Sequence, residues 1–520
     1  MTQQKSENRN RPQSLRKLAL TRRSRRSGGG EAVPVAEEGR QVTLPFMTAE
    51  NPQGGAESEE RPDVSGLEAL EVPEMKDKVT GVSPARMEEV VEGLEEAFSK
   101  VASNKGAPGP DGQSVKKVGE HLEEVLSKLR ETLLDGTYQP GDIRRVWIPK
   151  AGGKGLRGLG IPNVVDRVVQ EAVRRVIEPI YEPMFHPSSH GFRPGRGCQT
   201  AIAEARGYVE EGFGVVVDLD LEKFFDRVNH QRLMSRLAEQ IEDKRLLKLI
   251  GRMLKAEVVM PDGVKVATEE GVPQGGPLSP LLSNIVLNEL DWELERRGHR
   301  FVRYADDCNI YVKSIRAGER VKASVVEFIE RRLRLKVNEA KSAVALPETR
   351  HFLGYRLKLS SEGTVEVLLS ERSIKRLRER VRELTPRAGG VSLREAIRRV
   401  NVYFTGWMGH FRVCTEGVEY VVSGVDAHVR RRLRAILLKH WKRKRTIVRR
   451  LIQLGVAAGT AWRRIYEGSK SLWVLSHDNA VDKGLPNVYF KEKGFITLVE
   501  RFAAIWANIH APEQLTLPGI

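Results

Sequence analysis

Residues 301–312 read Phe301-Val302-Arg303-Tyr304-Ala305-Asp306-Asp307-Cys308-Asn309-Ile310-Tyr311-Val312. Two short runs rich in β-branched and aromatic residues flank Ala305-Asp306-Asp307-Cys308, which predicts a tight β-hairpin with two carboxylates at its tip. Upstream, Val215-Val216-Val217 predicts a buried strand that carries Asp218-Leu219-Asp220 at its C-terminal end. Adjacent residues of a flat strand point to opposite faces, but a turn lets Asp306 and Asp307 approach one site. If strand and hairpin are neighbours in one sheet, Asp220, Asp306 and Asp307 converge. Clustered carboxylates suit a pair of Mg²⁺ ions, hard cations that prefer carboxylate and phosphate oxygens. Nucleotidyl transfer uses two such ions about 3.5–4 Å apart, one to activate a 3′-hydroxyl and one to hold the leaving pyrophosphate.

Each fragment alone has an ordinary explanation. A paired Asp in a polar turn is common turn chemistry, and Asp218 and Asp220 could be a strand end and a helix N-cap. The ordered set is far more specific. Asp-Leu-Glu-Lys-Phe-Phe-Asp (220–226) follows the apolar strand, then comes Gly271-Val272-Pro273-Gln274-Gly275-Gly276-Pro277-Leu278-Ser279-Pro280, then Tyr304-Ala305-Asp306-Asp307. Lys341-Ser342 and His351-Phe352-Leu353-Gly354-Tyr355 come next.

Around this set, residues 1–82 lack apolar periodicity and read as a disordered basic and polar tail. Ser83-Pro84 suits the N-cap and first position of a helix whose apolar face is Met87, Val90, Val91, Leu94 and Phe98. A second helix is predicted over 118–134, and a strand–loop–strand over 143–161. Further helices are predicted at 166–180, from Asp220 to about Leu237, at 279–297 and at 317–333, with a second hairpin at 351–368. Beyond 370 the chain turns helical and basic, with Lys or Arg at 375, 376, 378, 380 and 382, then Arg430 to Arg434, then Lys439 to Arg445.

The 520 residues carry 86 Lys and Arg against 69 Asp and Glu, a formal charge of +17. That excess points to a polyanionic partner, because each neutralised phosphate releases a counterion. Three scattered cysteines, Cys198, Cys308 and Cys414, argue against a disulfide framework or a zinc knuckle. No stretch approaches the roughly 20 apolar residues that span a bilayer.

The motif set resembles that of group II intron-encoded reverse transcriptase/maturases, over about residues 90–500. The resemblance implies an α+β right-hand polymerase with a helical, basic C-terminal region. Fingers and palm would occupy 83–370, a thumb or maturase segment 371–450, and a DNA-binding tail 451–520. It implies RNA-directed DNA synthesis with two Mg²⁺ ions held by Asp220, Asp306 and Asp307. Phe225, five residues after Asp220, would exclude a ribose 2′-hydroxyl. Gln274 would line the pocket for the incoming dNTP, and Lys150 and Arg157 would grip its triphosphate. Here the chain has Arg157-Gly158-Leu159-Gly160 where the family has Arg-Pro-Leu-Gly. Lys341 is a candidate general acid for the pyrophosphate. Phe192-Arg193-Pro194-Gly195 would lie near the template, and Phe352–Tyr355 would form the primer-grip hairpin.

In the C-terminal third, Tyr403, Trp407 and Phe411 at helical spacing are expected to be mostly core, and clusters such as Arg430–Arg434 to contact RNA. No Cys- and His-bearing nuclease segment follows Asn487-Val488-Tyr489-Phe490, which implies an endonuclease-less member. The expected partners are an RNA template, a parent intron RNA, a DNA primer or target and dNTPs, with no membrane. The expected location is a bacterial cytoplasm at the nucleoid, with an organelle as the other option. Two other readings stay open at this level: a domesticated relative serving DNA repair or defence, and a non-catalytic RNA-folding protein.

Overall fold

The run Val215-Val216-Val217 is buried from both sides because two hydrophobic cores share it. The computed structural model describes residues 85–149, 155–387, 390–415 and 418–509. The expectations for 1–82 and for Lys150 lie outside these residues. The strands are β1 (Ile143–Pro149), β2 (Leu156–Ile161), β3 (Val215–Asp220), β4 (Val258–Val259), β5 (Lys265–Val266), β6 (Arg300–Tyr304), β7 (Asp307–Val312), β8 (Ala343–Ala345), β9 (Tyr355–Leu359) and β10 (Val365–Leu369). The main sheet has the order β6-β7-β3-β8, with β3 antiparallel to both neighbours. A second sheet, β2-β1-β4-β5, carries the β1–β2 hairpin, and β9–β10 form a third unit.

Period-two alternation sorts the main sheet's side chains. Val215, Val217 and Leu219, with Cys308, Ile310 and Val312, enter a core filled by helices such as Val164–Tyr181, Lys244–Leu254 and Ser279–Arg296. Val216, Val302 and Tyr311 enter a second core with the helix Cys198–Glu210, β9, β10 and the C-terminal helices Leu393–Phe411 and Val418–Trp441. The result is the expected α+β architecture, with the sheet as a palm between two helical masses.

Several boundaries differ from the sequence reading, each for a local reason. The first helix is Met87–Glu92, not one begun at Ser83-Pro84, because Ala85 has φ +51°, outside the helical region. The helix expected over 118–134 divides at His121 into Val115–Glu120 and Leu122–Leu134. After Asp220 the chain is not one helix but Phe224–Arg227 followed by His230–Gln240. The second of these is capped by Asn229, whose side chain accepts from the Arg232 amide. The second hairpin starts at Tyr355, because Leu353 (φ +54°) and Gly354 (φ +95°) first make a turn.

The cluster Arg430–Arg434 is largely structural, contrary to expectation. Arg432 is buried and donates to the Thr385 hydroxyl and to the carbonyl oxygens of Arg382 and Thr385. Arg434 is buried on the Leu485 carbonyl and the Asp482 carboxylate. On a helix that packs on several sides, every third or fourth residue turns inward whatever its charge. Exposed cations instead lie at the following turn and helix, at Lys442, Arg443, Arg445, Arg449 and Arg450.

One buried ion pair ties the main sheet to its helices. Arg303, on β6, is fully buried and donates from Nε and Nη2 to the Asp291 carboxylate at 2.7 and 2.6 Å. Its remaining donors reach Asn284 Oδ1 (3.0 Å), the Ala305 carbonyl (2.8 Å) and Ser189 Oγ (2.7 Å). Asn284 in turn donates to the Gly191 carbonyl at 2.8 Å. Removing one partner of such a pair strands a buried charge. Arg303→Met is therefore expected to lower unfolding free energy by about 3–5 kcal/mol in a urea titration, and Arg303→Met with Asp291→Leu by distinctly less. Equal losses in single and double variants would show that the pairing is not what the fold depends on.

Candidate active site

The register between β3 and β7 places Asp220 directly opposite Asp307, and Asp218 opposite Asn309. Residues two apart share a strand face, so Asp218 and Asp220 lie on the face that bears Val216, toward the C-terminal core. Asp306 occupies the hairpin turn, where Ala305 adopts φ +57°. Gly191 packs so closely on that turn that a Cβ there would collide with the Ala305 nitrogen. The Arg303 guanidinium holds the Ala305 carbonyl from below. The turn is thus fixed by the buried network.

Asp218, Asp220 and Asp307 open onto a cleft of about 1230 Å³. Its other walls are Lys341, Arg350, the Phe352–Gly354 turn, and Tyr403, Trp407 and Phe411 of the helix Leu393–Phe411. Trp407 and Phe411 are buried, in line with the core expectation, while their edges also border the cleft. Such a cleft, with carboxylates on one wall and Arg350, Arg372 and Arg376 on another, can take a polyanion whose reacting end meets the acids.

The acids raise one another's proton affinity. Asp307 is open to the cleft yet densely surrounded by protein. That surround, with Asp306, Asp218 and Asp220 nearby, pushes its carboxyl up to about 7. Burial also lifts Asp306, with Asp220 adding to the effect and Arg157 opposing it. Burial lifts Asp218 against the pull of Arg350. Lys341 Nζ lies 2.9 and 3.1 Å from the two carboxylate oxygens of Asp220, so it is not a free surface lysine. Among the described residues no three acidic, imidazole or thiolate side chains are already gathered as a finished metal cage. The donor set nonetheless fits a hard divalent cation, because its oxygens face a shortage of positive charge that a cation would relieve.

On the fingers side, Arg157 Nε donates to Gln274 Oε1 at 2.8 Å, joining two predicted substrate residues 117 positions apart. The Gly160 amide donates to the Gln274 carbonyl at 2.7 Å. A Cβ on Gly275 would collide with the Gly160 carbonyl, and one on Gly160 would press on the Ile143 side chain. Gly158, where the family has Pro, sits opposite Trp147 in the β1–β2 register. Arg145 lies over the Trp147 ring and donates to the Gly158 carbonyl, so the missing side chain is replaced by a cross-strand cover. Phe225 is buried edge-on to Phe224 and borders a cavity of about 510 Å³ that Gln274 also lines.

The motif at 190–200 divides by role. Arg193 turns inward onto Glu182 and the carbonyls of His186 and Ser189, which makes it structural. Phe192, at φ +62°, is thrown outward, 6.5 Å from the Tyr304 ring. Residues that sequence reasoning missed are Arg303, Asp291, Asn284, Ser189 and Arg350. The signal for two of them was present: Asn284 and Asp291, seven apart with Asn288 between, place polar groups on one buried stripe of their helix.

Comparison with known proteins finds two matching families along the chain. The family "Reverse transcriptase (RNA-dependent DNA polymerase)" matches residues 148–357, and "Group II intron, maturase-specific domain" matches residues 374–452. Protein YkfC of Escherichia coli is 36% identical over 320 residues, 53% of this chain and 84% of that protein. Group II intron-encoded protein LtrA of Lactococcus lactis is 31% identical over 338 residues, and the chain spans only about half of it, 55%, using 52% of its own length. Among solved structures, a chain of the "Partial Cas6-RT-Cas1--Cas2 complex" aligns at TM-score 0.32 and 24% identity, over 49% of this chain and 45% of that one.

The Asp307 shift gives a stability test. A carboxyl held above its usual range binds more protons folded than unfolded between about pH 4 and 7, so stability falls as pH rises through that window. In metal-free protein, Asp307→Asn is expected to raise the melting temperature at about pH 8, with the gain shrinking toward zero near about pH 4. Thermal melts in chelator check this; a gain independent of pH would mean that ionisation of Asp307 is not the cause.

Proposed function

The chain belongs to the group II intron-encoded reverse transcriptase/maturase family and is an RNA-directed DNA polymerase; from that premise we propose that Asp220, Asp306 and Asp307 hold two Mg²⁺ ions for primer extension on RNA. The observation that carries this reading is the register that sets Asp220 against Asp307 at one end of β3 and β7, beside the Asp306 turn. Family membership implies divalent-metal-dependent chemistry; Mg²⁺ and the count of two are our reading of the donor set. When bound, such ions supply the Lewis acidity that readies the primer 3′-hydroxyl and steadies the pyrophosphate.

The chain's own groups do the rest. The Arg157 fork, held in place by Gln274, grips the triphosphate of a dNTP, a role that Lys150 is proposed to share. A planar guanidinium suits this because it pairs with phosphate oxygens two at a time. Phe225 bars the ribose 2′-hydroxyl. Lys341 Nζ, close to the reacting phosphates through Asp220, gives a proton to the leaving pyrophosphate.

Residues 83–370 serve as fingers and palm and 371–450 as thumb and maturase segment, a reading supported by the family matches over 148–357 and 374–452. Residues 451–520 serve as a DNA-binding tail. Support for the tail comes from Trp462 and Tyr466, half-exposed and stacked at 5.3 Å, with Lys444 over the Tyr466 ring. Among the described residues no helix is long and apolar enough to cross a membrane. We place the protein in a bacterial cytoplasm, at the nucleoid, acting on template and intron RNA.

Two substitutions test the assignment. Asp306→Asn keeps size and one carbonyl oxygen but removes the charge that holds the cation. It is expected to abolish dNTP-dependent primer extension on RNA while RNA affinity stays within about threefold, since phosphate contacts carry the affinity. Near-normal extension would reduce Tyr304–Asp307 to a turn. Phe225→Ala is expected to raise rNTP use relative to dNTP by about tenfold or more, as removal of a steric bar does. Unchanged discrimination would show that the ring is core only.

A further inference from the structure

Asp218 is acidic, shares a strand face with Asp220, and opens onto the same cleft, yet the three-aspartate site has no use for it. Left bare, it would be a fourth carboxylate competing for a hard cation. It is not bare. Arg350 donates to Asp218 Oδ2 from Nε at 2.8 Å and from Nη2 at 2.5 Å. The same Nη2 donates to the Lys341 carbonyl at 2.7 Å. Lys341 Nζ is bound to both oxygens of Asp220. A closed circuit therefore runs from Asp218 through Arg350 and Lys341 to Asp220, and back along β3. Its parts come from distant sequence, with Arg350 lying 132 residues beyond Asp218. Both members of that pair are mostly shielded, at 29% and 20% side-chain exposure, so this is not a loose rim contact.

An arginine suits this position for a geometric reason. Its fork presents separate donors to two acceptors at once, a carboxylate and a peptide carbonyl, which the single ammonium of a lysine does not match. A guanidinium on Asp218 also subtracts one negative charge from the group that a cation would see. Groups behind a site's own ligands commonly tune it in this way.

We propose that Arg350 is a positioning residue of the polymerase site: it withholds Asp218 from metal ions and fixes the backbone from which Lys341 reaches Asp220. The proposal rests on the reading of the three aspartates as the ion-holding set. It gives Arg350 two separable effects, one on cation binding and one on turnover.

The test uses the full chain with Arg350→Gln, Arg350→Lys, and Asp218→Asn with Arg350→Gln. The first readout needs no synthesis: Mn²⁺ binding to nucleic-acid-free protein, followed by electron paramagnetic resonance. Arg350→Gln is expected to bind Mn²⁺ about tenfold more tightly, or to bind an added ion, because Asp218 is released and adds a negative charge beside the site. The double variant is expected to return to within about twofold of the parent, because the released charge is gone. The second readout is primer extension on RNA. Arg350→Gln and the double variant both lose about ten- to hundredfold in kcat with little change in KM for dNTP, since both lack the hold on Lys341. Arg350→Lys keeps the charge on Asp218 and is expected to show parental Mn²⁺ binding with reduced kcat.

Parental Mn²⁺ binding by Arg350→Gln would overturn the withholding role, and parental kcat would overturn the positioning role. If Arg350→Gln fails to fold, Arg350→Lys and the double variant decide: parental behaviour of either in kcat overturns the proposal. Asp306→Asn, run alongside, separates the two ideas. Extension by that variant would sink the three-aspartate reading, whereas the Mn²⁺ comparison judges Arg350 by itself.

Discussion

Carboxylates crowded at one end of two neighbouring strands repel each other, and much of the surrounding structure answers that repulsion. Asp218 and Asp220 share a strand face and Asp307 stands across from Asp220, at a separation where unit charges interact by several kcal/mol unless water or counter-charge intervenes. Lys341 and Arg350 answer at the β8 side, and Arg157 approaches Asp306 from the fingers. These three cations come from separate segments, so the counter-charge to the acids is supplied by the tertiary fold and not by their own strands. The shortage of positive charge that remains at Asp307 is the physical basis for a cation's place there.

Holding the acids is a second problem, and the Arg303–Asp291 pair solves it from inside the core. A buried pair gives little net stability against a well-packed apolar alternative. Its use here is directional. One guanidinium fixes Asp291 and Asn284 on a helix, Ser189 on a loop, and the carbonyl of Ala305 in the Asp306 turn. Apolar packing would tolerate small shifts among these parts, and five aligned hydrogen bonds do not.

How much of this the sequence disclosed depends on the range of the interactions. The hairpin, the strand before Asp220 and the acidic turn follow from local pattern, and they lie where the periodicity predicts. The register that pairs Asp220 with Asp307 is a tertiary fact; it was reachable only as a condition, that strand and hairpin be neighbours. Arg432 and Arg434 misled because charge was read as exposure: a cation at an inward helical position finds carbonyls and Asp482 instead of phosphate. Arg193, in a motif set near the template by resemblance alone, likewise turns inward, onto Glu182 and two carbonyls. Arg350 carried no signal at all, since a single arginine after a Pro-Glu-Thr turn has no periodic neighbour to mark it.

The two-core layout then explains why the cleft lies where it does. Because β3 buries Val215, Val217 and Leu219 on one side and Val216 on the other, the palm cannot slide against either helical mass without exposing apolar surface. The strand face that bears Val216 also bears Asp218 and Asp220, so the core stops where the acids begin. Beyond that point Tyr403, Trp407 and Phe411 of the helix Leu393–Phe411 border the cleft, while Trp407 and Phe411 stay packed in the second core. The cleft is therefore a consequence of strand alternation. On one face the apolar Val216 gives way to Asp218 and Asp220, and other parts of the cleft lining are aromatic edges and arginines.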